Sequence, residues 1–136
     1  MNKDELKAKV CAAIDDYKDK IAAIADSIAD EPELGFKEVK TSAKVAAFMR
    51  ELGIEPQTGL AITGVKARVK GAKPGPTAAV LGELDAVGCP DSCKADPLTG
   101  AAHACGHNLQ IAVMLAVCCG IVKSGAAQYF SGDAVF

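Results

Sequence analysis

The sequence predicts an α/β fold in which a mixed sheet is packed with helices. Apolar residues recur at steps of three and four across the first fifty residues, which is typical of amphipathic helices. Alternating and continuous apolar stretches follow between residues 65 and 81, and an apolar helical stretch and a short strand come last. With 136 residues, half of them apolar, the chain fits one domain with enough apolar residues to build a core.

Two amphipathic helices are predicted in the N-terminal part. The first spans about Lys3 to Ala29, where charged residues separate apolar ones at helical spacing: Leu6, Val10, Ile14, Tyr17, Ile21, Ile24 and Ile28. A short coiled coil is the alternative interpretation of this pattern. Pro32 ends the helix, and a second helix is predicted over about Lys37 to Leu52, with Gly53 at the usual position after a helix C-terminus.

Two strands and a loop are predicted next. Val65 to Lys70 alternates apolar and charged residues, which is typical of a half-exposed strand. The apolar run from Thr77 to Leu81 predicts a strand covered on both faces. This strand would deliver Glu83 and Asp85 at its end, and their two-residue spacing places both carboxylates on one face. Gly88 to Gly100 is rich in Pro, Gly, Asp and Ser and is predicted to be a loop.

A buried helix is predicted over about Asn108 to Lys123, with Ser124 and Gly125 ending it. Its longest apolar run, Ile111 to Val122, is shorter than a bilayer-spanning segment requires, so we interpret it as a core helix.

The last forty residues are poor in charge. From Pro97 to Phe136 only Lys123 and Asp133 are charged, which is typical of the interior of a domain larger than this chain. The residues from Asp133 onward predict the start of a buried strand with no turn after it. We therefore expect the chain to be the N-terminal portion of a longer protein.

Charge and cysteine content limit the classes of function. The net charge of −2 provides no electrostatic footprint for nucleic acid or an anionic membrane, and the N-terminus lacks the pattern of a secretory signal. We therefore expect a cytoplasmic protein with six reduced thiols. Cys11, Cys118 and Cys119 fall on predicted helices and are interpreted as core residues. A disulfide or a zinc knuckle at Cys89 and Cys93 is disfavoured by the compartment and by the lack of a second pair.

The segment from His103 to Asn108, of sequence His-Ala-Cys-Gly-His-Asn, predicts a metal site. It holds both histidines of the chain and one cysteine, and thiolate sulfur and imidazole nitrogen are the ligands that zinc prefers. Gly106 lets the backbone bend so that Cys105 and His107 can reach one ion. Asn108 is a favoured N-cap, and the positive end of the following helix would favour the thiolate of Cys105.

Simpler interpretations exist for each of these residues taken alone. His103 could be a hydrogen-bonded loop residue, and Glu83 and Asp85 could be solvated acids in a turn. The combination of one motif at a helix start with one at a strand end favours a metal site, in which the carboxylates are further ligands or support an imidazole.

These residues resemble those of the metal-dependent amidohydrolases related to hippurate hydrolase, aminobenzoyl-glutamate hydrolase and the indole-acetyl-amino-acid hydrolases. Those enzymes belong with the aminoacylase and carboxypeptidase zinc peptidases. The similarity runs from Pro32 to Phe136. Its four blocks are Pro32 to Glu38 (Pro-Glu-Leu-Gly-Phe-Lys-Glu), Thr63 to Val65 (Thr-Gly-Val), Glu83 to Val87 (Glu-Leu-Asp-Ala-Val) and His103 to Asn108.

The resemblance implies the N-terminal part of a catalytic α/β domain that carries two metal ions, zinc or manganese. It also implies hydrolysis of the amide bond of small N-acyl amino acids or peptides, and it leaves a homo-oligomer open for the complete enzyme. Carried over, Cys105 and His107 match two metal ligands and Asp85 matches the acid that orients the site. Glu83 occupies the other acidic position of that block, and His103 would lie near the metals.

The chain departs from the family pattern in two places. Asn108 stands where the family commonly has Asp, and no histidine precedes the block that starts at Pro32. The family's paired glutamates, including its catalytic base, and its later ligand histidines would follow Phe136. We therefore expect this chain to be inactive alone. The alternatives are a non-catalytic metal-binding or thiol module, complete at this length, and a helical interaction module that uses the first helix.

Overall fold

Three helices carry most of the fold in the computed structural model, which describes residues 1–136. They are α1 (Lys3–Asp30), α2 (Val39–Glu51) and α3 (His107–Ser124). A capping box starts α1, because Asn2 accepts from the Glu5 backbone N–H while the Glu5 carboxylate accepts from that of Asn2. The first two predicted helices are confirmed with nearly the predicted bounds.

The apolar stripe of α1 packs against α3 within the chain. The two helices approach closely at Gly120, where an added Cβ would lie 2.8 Å from Ile14 and 2.9 Å from Val10. This packing assigns the stripe of α1 to the core of the chain, so the coiled-coil interpretation is not needed. Cys11 was wrongly predicted to be a core residue: it is exposed, because it lies about 100° around the helix from Val10. Cys118 and Cys119 are buried as predicted.

Seven short strands form one mixed sheet and two small antiparallel ribbons. They are β1 (Gln57–Leu60), β2 (Gly64–Lys66), β3 (Arg68–Val69), β4 (Ala78–Ala79), β5 (Val87–Gly88), β6 (Ala101–Ala102) and β7 (Ala134–Val135). β7 lies between β3, which it pairs antiparallel, and β4, which it pairs parallel. The α/β class and the mixed sheet are thus as predicted, and the final strand is the central one.

Two strand predictions need correction. The apolar run from Thr77 to Leu81 is not covered on both faces: both residues of β4 are exposed, and Leu81 is 87% exposed. Because β4 ends at Ala79, Glu83 and Asp85 do not lie at its end but in the segment that leads into β5. β4 has a neighbour on one edge only, and an apolar run cannot reveal what covers it. The predicted strand from Val65 to Lys70 is divided into β2 and β3 at Ala67, whose N–H and C=O both pair with Phe136.

The length of α3 also differs from the prediction. Its apolar stretch was predicted to be too short for a bilayer, whereas the helix from His107 to Ser124 is long and apolar enough to cross one by length and composition. This is a weak indication, because core helices of soluble proteins meet the same criterion. Ile111 and Leu115 are fully buried within the chain, as expected for a core helix.

Candidate metal centre

Two chain segments meet at the start of α3. β5 pairs antiparallel with β6, with Val87 opposite Ala102. Because the chain runs in opposite directions in the two strands, the residues just before β5 lie beside those just after β6. This pairing brings Asp85 to the segment that leads from His103 into α3.

His107 is the central side chain of this site. It is the first residue of α3 and is 7% exposed. Its Nδ1 lies 2.8 Å from the Asp85 backbone oxygen and 3.0 Å from Asp85 Oδ1. Since a carbonyl oxygen can only accept a hydrogen bond, Nδ1 is the donor and carries hydrogen. This contact fixes the orientation of the ring and leaves Nε2 as the nitrogen available to a metal.

Glu83 lies on the other side of the imidazole ring. Its Oε2 is 3.0 Å from His107 Nε2, and its side chain is 64% exposed. Gln110, one turn into α3, donates to Glu83 Oε2 and accepts from the Glu83 backbone N–H, both over 3.3 Å. A metal ion at Nε2 would require this carboxylate to move aside or to share the metal.

Cys105 lies in a turn directly before α3. The Gly106 N–H donates to the His103 carbonyl over 3.1 Å, and Gly106 adopts a left-handed backbone with φ of 79° as the N-cap of the helix. The thiol is exposed to solvent. The predicted bend at Gly106 is therefore present, and it places Cys105 next to the positive end of α3.

Asn108 was wrongly predicted to be the N-cap of this helix. Gly106 has that role, and the Asn108 side chain instead donates to the Ala25 carbonyl of α1 over 3.4 Å. An aspartate at this position could not donate to a carbonyl oxygen, which gives a physical reason for Asn in this chain. Asn108 contributes to the packing of α3 on α1 in this structure.

His103 is close to the site but has no hydrogen-bond partner. Both of its ring nitrogens are buried and unpaired. Burial holds the pKa of His103 below its usual value, the nearby His107 acts in the same direction, and Asp85 opposes both. A buried polar group without a partner costs stability, so this position is one where a ligand or a further polar group would fit.

Replacing His103 by leucine is expected to raise the free energy of unfolding by about 1 kcal/mol, because two unpaired nitrogens are replaced by an apolar group of similar size. The measurement is urea unfolding followed by circular dichroism. His107→Leu is the matched control and should lower stability, since it removes the hydrogen bond that His107 Nδ1 donates to Asp85. A clear loss of stability in His103→Leu would show that its nitrogens do have partners.

The donors at this site fit a metal in kind and fall short in number. No group of three or more His, Cys, Asp or Glu side chains is arranged so that it could hold a metal ion. Sulfur from Cys105 and nitrogen from His107 are the types that zinc binds, and a catalytic zinc takes three protein ligands. These two donors are fewer than a catalytic zinc takes.

Gln110 is the residue of the site that the sequence did not predict. It follows His107 by three positions on α3, so both side chains lie on the same side of the helix. That spacing is the signal that could have identified it, but one glutamine in an apolar helix does not stand out.

Known proteins are similar to this chain in sequence and in fold. No family model matches it. Thermostable carboxypeptidase 2 of Saccharolobus solfataricus is 34% identical over 115 residues, which cover 82% of this chain and 29% of that protein. IAA-amino acid hydrolase ILR1-like 4 of Arabidopsis thaliana is 31% identical over 103 residues, which cover 74% of this chain and 23% of that protein.

A solved structure matches the fold as well. The YxeP protein of Bacillus subtilis, described as a dinuclear metal binding peptidase, superposes with a TM-score of 0.77 at 25% identity. The match covers 90% of this chain and 35% of that one. The fold and these similarities assign the chain to the class of metal-dependent amidohydrolases and peptidases. YxeP is described as a member of the M20 family, and this chain spans between about a fifth and three tenths of the length of the curated relatives it matches.

Proposed function

We propose that this chain supplies the N-terminal portion of the catalytic domain of a two-metal amidohydrolase. The observation that carries the proposal is the contact of His107 Nδ1 with Asp85, which leaves Nε2 as the ring nitrogen that could bind metal. In this proposal Cys105 and His107 hold metal, and Asp85 orients the imidazole. His103 lies close by without an assigned role.

The reaction proposed for the complete protein is hydrolysis of the amide bond of N-acyl amino acids or small peptides. Bound zinc or manganese would polarise the carbonyl and supply the attacking water. The similar proteins include a carboxypeptidase and an IAA-amino acid hydrolase, and both names support an amide substrate. The proposal includes a cytoplasmic location and leaves the homo-oligomer open.

Glu83 has one of two roles in the proposal. Its carboxylate already contacts Nε2 of His107, so it either joins the metal ligands or moves aside when metal binds. Its bonds to Gln110 hold it in its present place, and its high exposure leaves room for it to move.

The 136-residue chain alone is expected to hydrolyse no N-acyl amino acid above background, because it brings together no group of three metal ligands. The measurement is release of free amine from a panel of N-acetyl and N-benzoyl amino acids with zinc or manganese. The comparison sample is the longer protein that is obtained when translation of the coding DNA continues beyond the Phe136 codon.

Turnover by the longer protein together with none by the 136-residue chain is the expected result. Metal-dependent turnover by the 136-residue chain would contradict its being an incomplete catalytic domain. Metal binding without turnover by the longer protein would favour the non-catalytic metal-binding module.

A further inference from the structure

Glu33 joins the start of α2 to the connection that follows α1. Its Oε1 accepts from the Lys40 N–H over 3.0 Å, and its Oε2 accepts from the Thr41 N–H over 2.8 Å and the Thr41 hydroxyl over 3.0 Å. Glu38, at the N-cap position of α2, makes no side-chain capping bond. Glu33 therefore caps α2 from outside the helix.

The backbone of Glu33 makes a second attachment, to the metal centre. Its carbonyl oxygen accepts from the Ala86 N–H over 2.7 Å, and Leu34 and Ala86 form a parallel bridge. Ala86 is 3% exposed and directly follows Asp85. The segment before β5 that presents Asp85 to His107 is therefore held by the backbone of Glu33.

The two attachments lie on one residue and act together. α2 is anchored in the core by Val45, Phe48 and Met49, each no more than 2% exposed. The side chain of Glu33 ties its own backbone to this fixed helix, so the carbonyl oxygen that meets Ala86 has a fixed place. The Ala86 N–H and the Asp85 carbonyl belong to one planar peptide group, so holding the N–H also holds the carbonyl. This carbonyl is the acceptor for His107 Nδ1.

We propose that Glu33 is a positioning residue of the metal centre: by capping α2 it holds Ala86, and through Ala86 it sets Asp85 against His107. The metal-binding role of His107 in this inference rests on the proposed function. The contacts from Glu33 to His107 do not require metal, so they can be tested without it. A simple helix cap would stabilise α2 and leave the imidazole of His107 unaffected.

The test compares Glu33→Gln with Glu31→Gln as the matched control. Both variants remove one carboxylate from the same connection, but the Glu31 carboxylate accepts only from the side chains of Lys40 and Lys44. The readouts are hydrogen exchange at the Ala86 amide and the ¹⁵N and ¹H resonances of the His107 ring. Exchange at the Leu115 amide, in the core of α3, reports global opening.

In Glu33→Gln we expect the Ala86 amide to exchange about tenfold faster while Leu115 changes little, as expected for the loss of a cap of this kind. We also expect the His107 ring to lose part of its Nδ1–H signal, with Glu31→Gln unchanged in both readouts. Unchanged Ala86 exchange and His107 resonances in folded Glu33→Gln would overturn the proposal, as would equal acceleration at Ala86 and Leu115.

A second variant keeps the test decisive if Glu33→Gln does not fold. Thr41→Val removes the hydroxyl that donates to Glu33 Oε2 and keeps the shape of the side chain. It should raise the exchange rate of the Ala86 amide and weaken the Nδ1–H signal of His107, each by less than Glu33→Gln does. No change in either readout would overturn the proposal.

Zinc titration of the unsubstituted protein is a separate experiment. Failure to bind zinc would contradict the proposed function, whereas the result for Glu33 would still stand.

Discussion

His107→Ala is expected to lower the affinity of the protein for zinc by more than about a hundredfold, because the proposed function makes His107 a ligand and not only a supporting residue. Of the two imidazole rings, only that of His107 is oriented by another residue, through the contact of its Nδ1 with Asp85. The measurement is competition for zinc with a chelating dye, on the longest form of the protein that carries this chain.

Asp85→Asn provides a graded comparison. The backbone oxygen of Asp85 still accepts from Nδ1 in this variant, so affinity should fall by about tenfold to a hundredfold, the range for residues that support a ligand. Equal losses in the two variants would mean that Asp85 is itself a ligand. Unchanged affinity in His107→Ala would remove His107 from the metal centre.

Gly132→Ala is expected to destabilise the fold by roughly 4 kcal/mol or more, which places it among exceptional single substitutions. Gly132 has a φ of 89°, and an added Cβ would lie 1.8 Å from the Pro76 carbonyl oxygen. The residue precedes β7, the central strand of the mixed sheet, and Pro76 precedes β4. The clash would therefore separate two paired strands.

Gly53→Ala is the matched control for Gly132→Ala. Gly53 has a φ of 88° but nothing within 4 Å of an added Cβ, so only backbone strain of about 1 kcal/mol is expected. The free energies of unfolding, measured by urea titration, should differ clearly between the two variants. Equal destabilisation would show that the strand edge relaxes to accept a methyl group.

The sequence predicted the helices well because their patterns are long. α1 repeats its apolar spacing over 28 residues, and its end agrees with Pro32. β4 has only two residues, and the short apolar run from Thr77 to Leu81 did not indicate which elements pack against this strand. Whether such a run is buried depends on elements far along the chain, which no local pattern records.

The candidate site was predictable in composition and less so in arrangement. The motif around Gly106 and the acids Glu83 and Asp85 were identified as neighbours from the order of elements, and the structure brings both acids to His107. The contacts of Glu33 were not predicted. They depend on a backbone carbonyl meeting a residue more than fifty positions away. Backbone contacts of this kind leave no pattern in the sequence.

The six cysteines allow the central claim, that Cys105 and His107 bind metal together, to be tested directly. Cys11, Cys93 and Cys105 are exposed, so they should all react with an alkylating reagent when metal is absent. Cys118 and Cys119 are buried, and burial raises the pKa of Cys118 to about 12, so they should react slowly. Mass spectrometry then reports the modification of each residue.

The decisive measurement is this alkylation pattern with and without zinc, in the unsubstituted protein and in His107→Ala. The account predicts that zinc protects Cys105 alone, that Cys11 and Cys93 continue to react, and that the protection disappears in His107→Ala. Protection centred on Cys89 and Cys93, or protection of Cys105 that persists in His107→Ala, would contradict a metal centre built on Cys105 and His107.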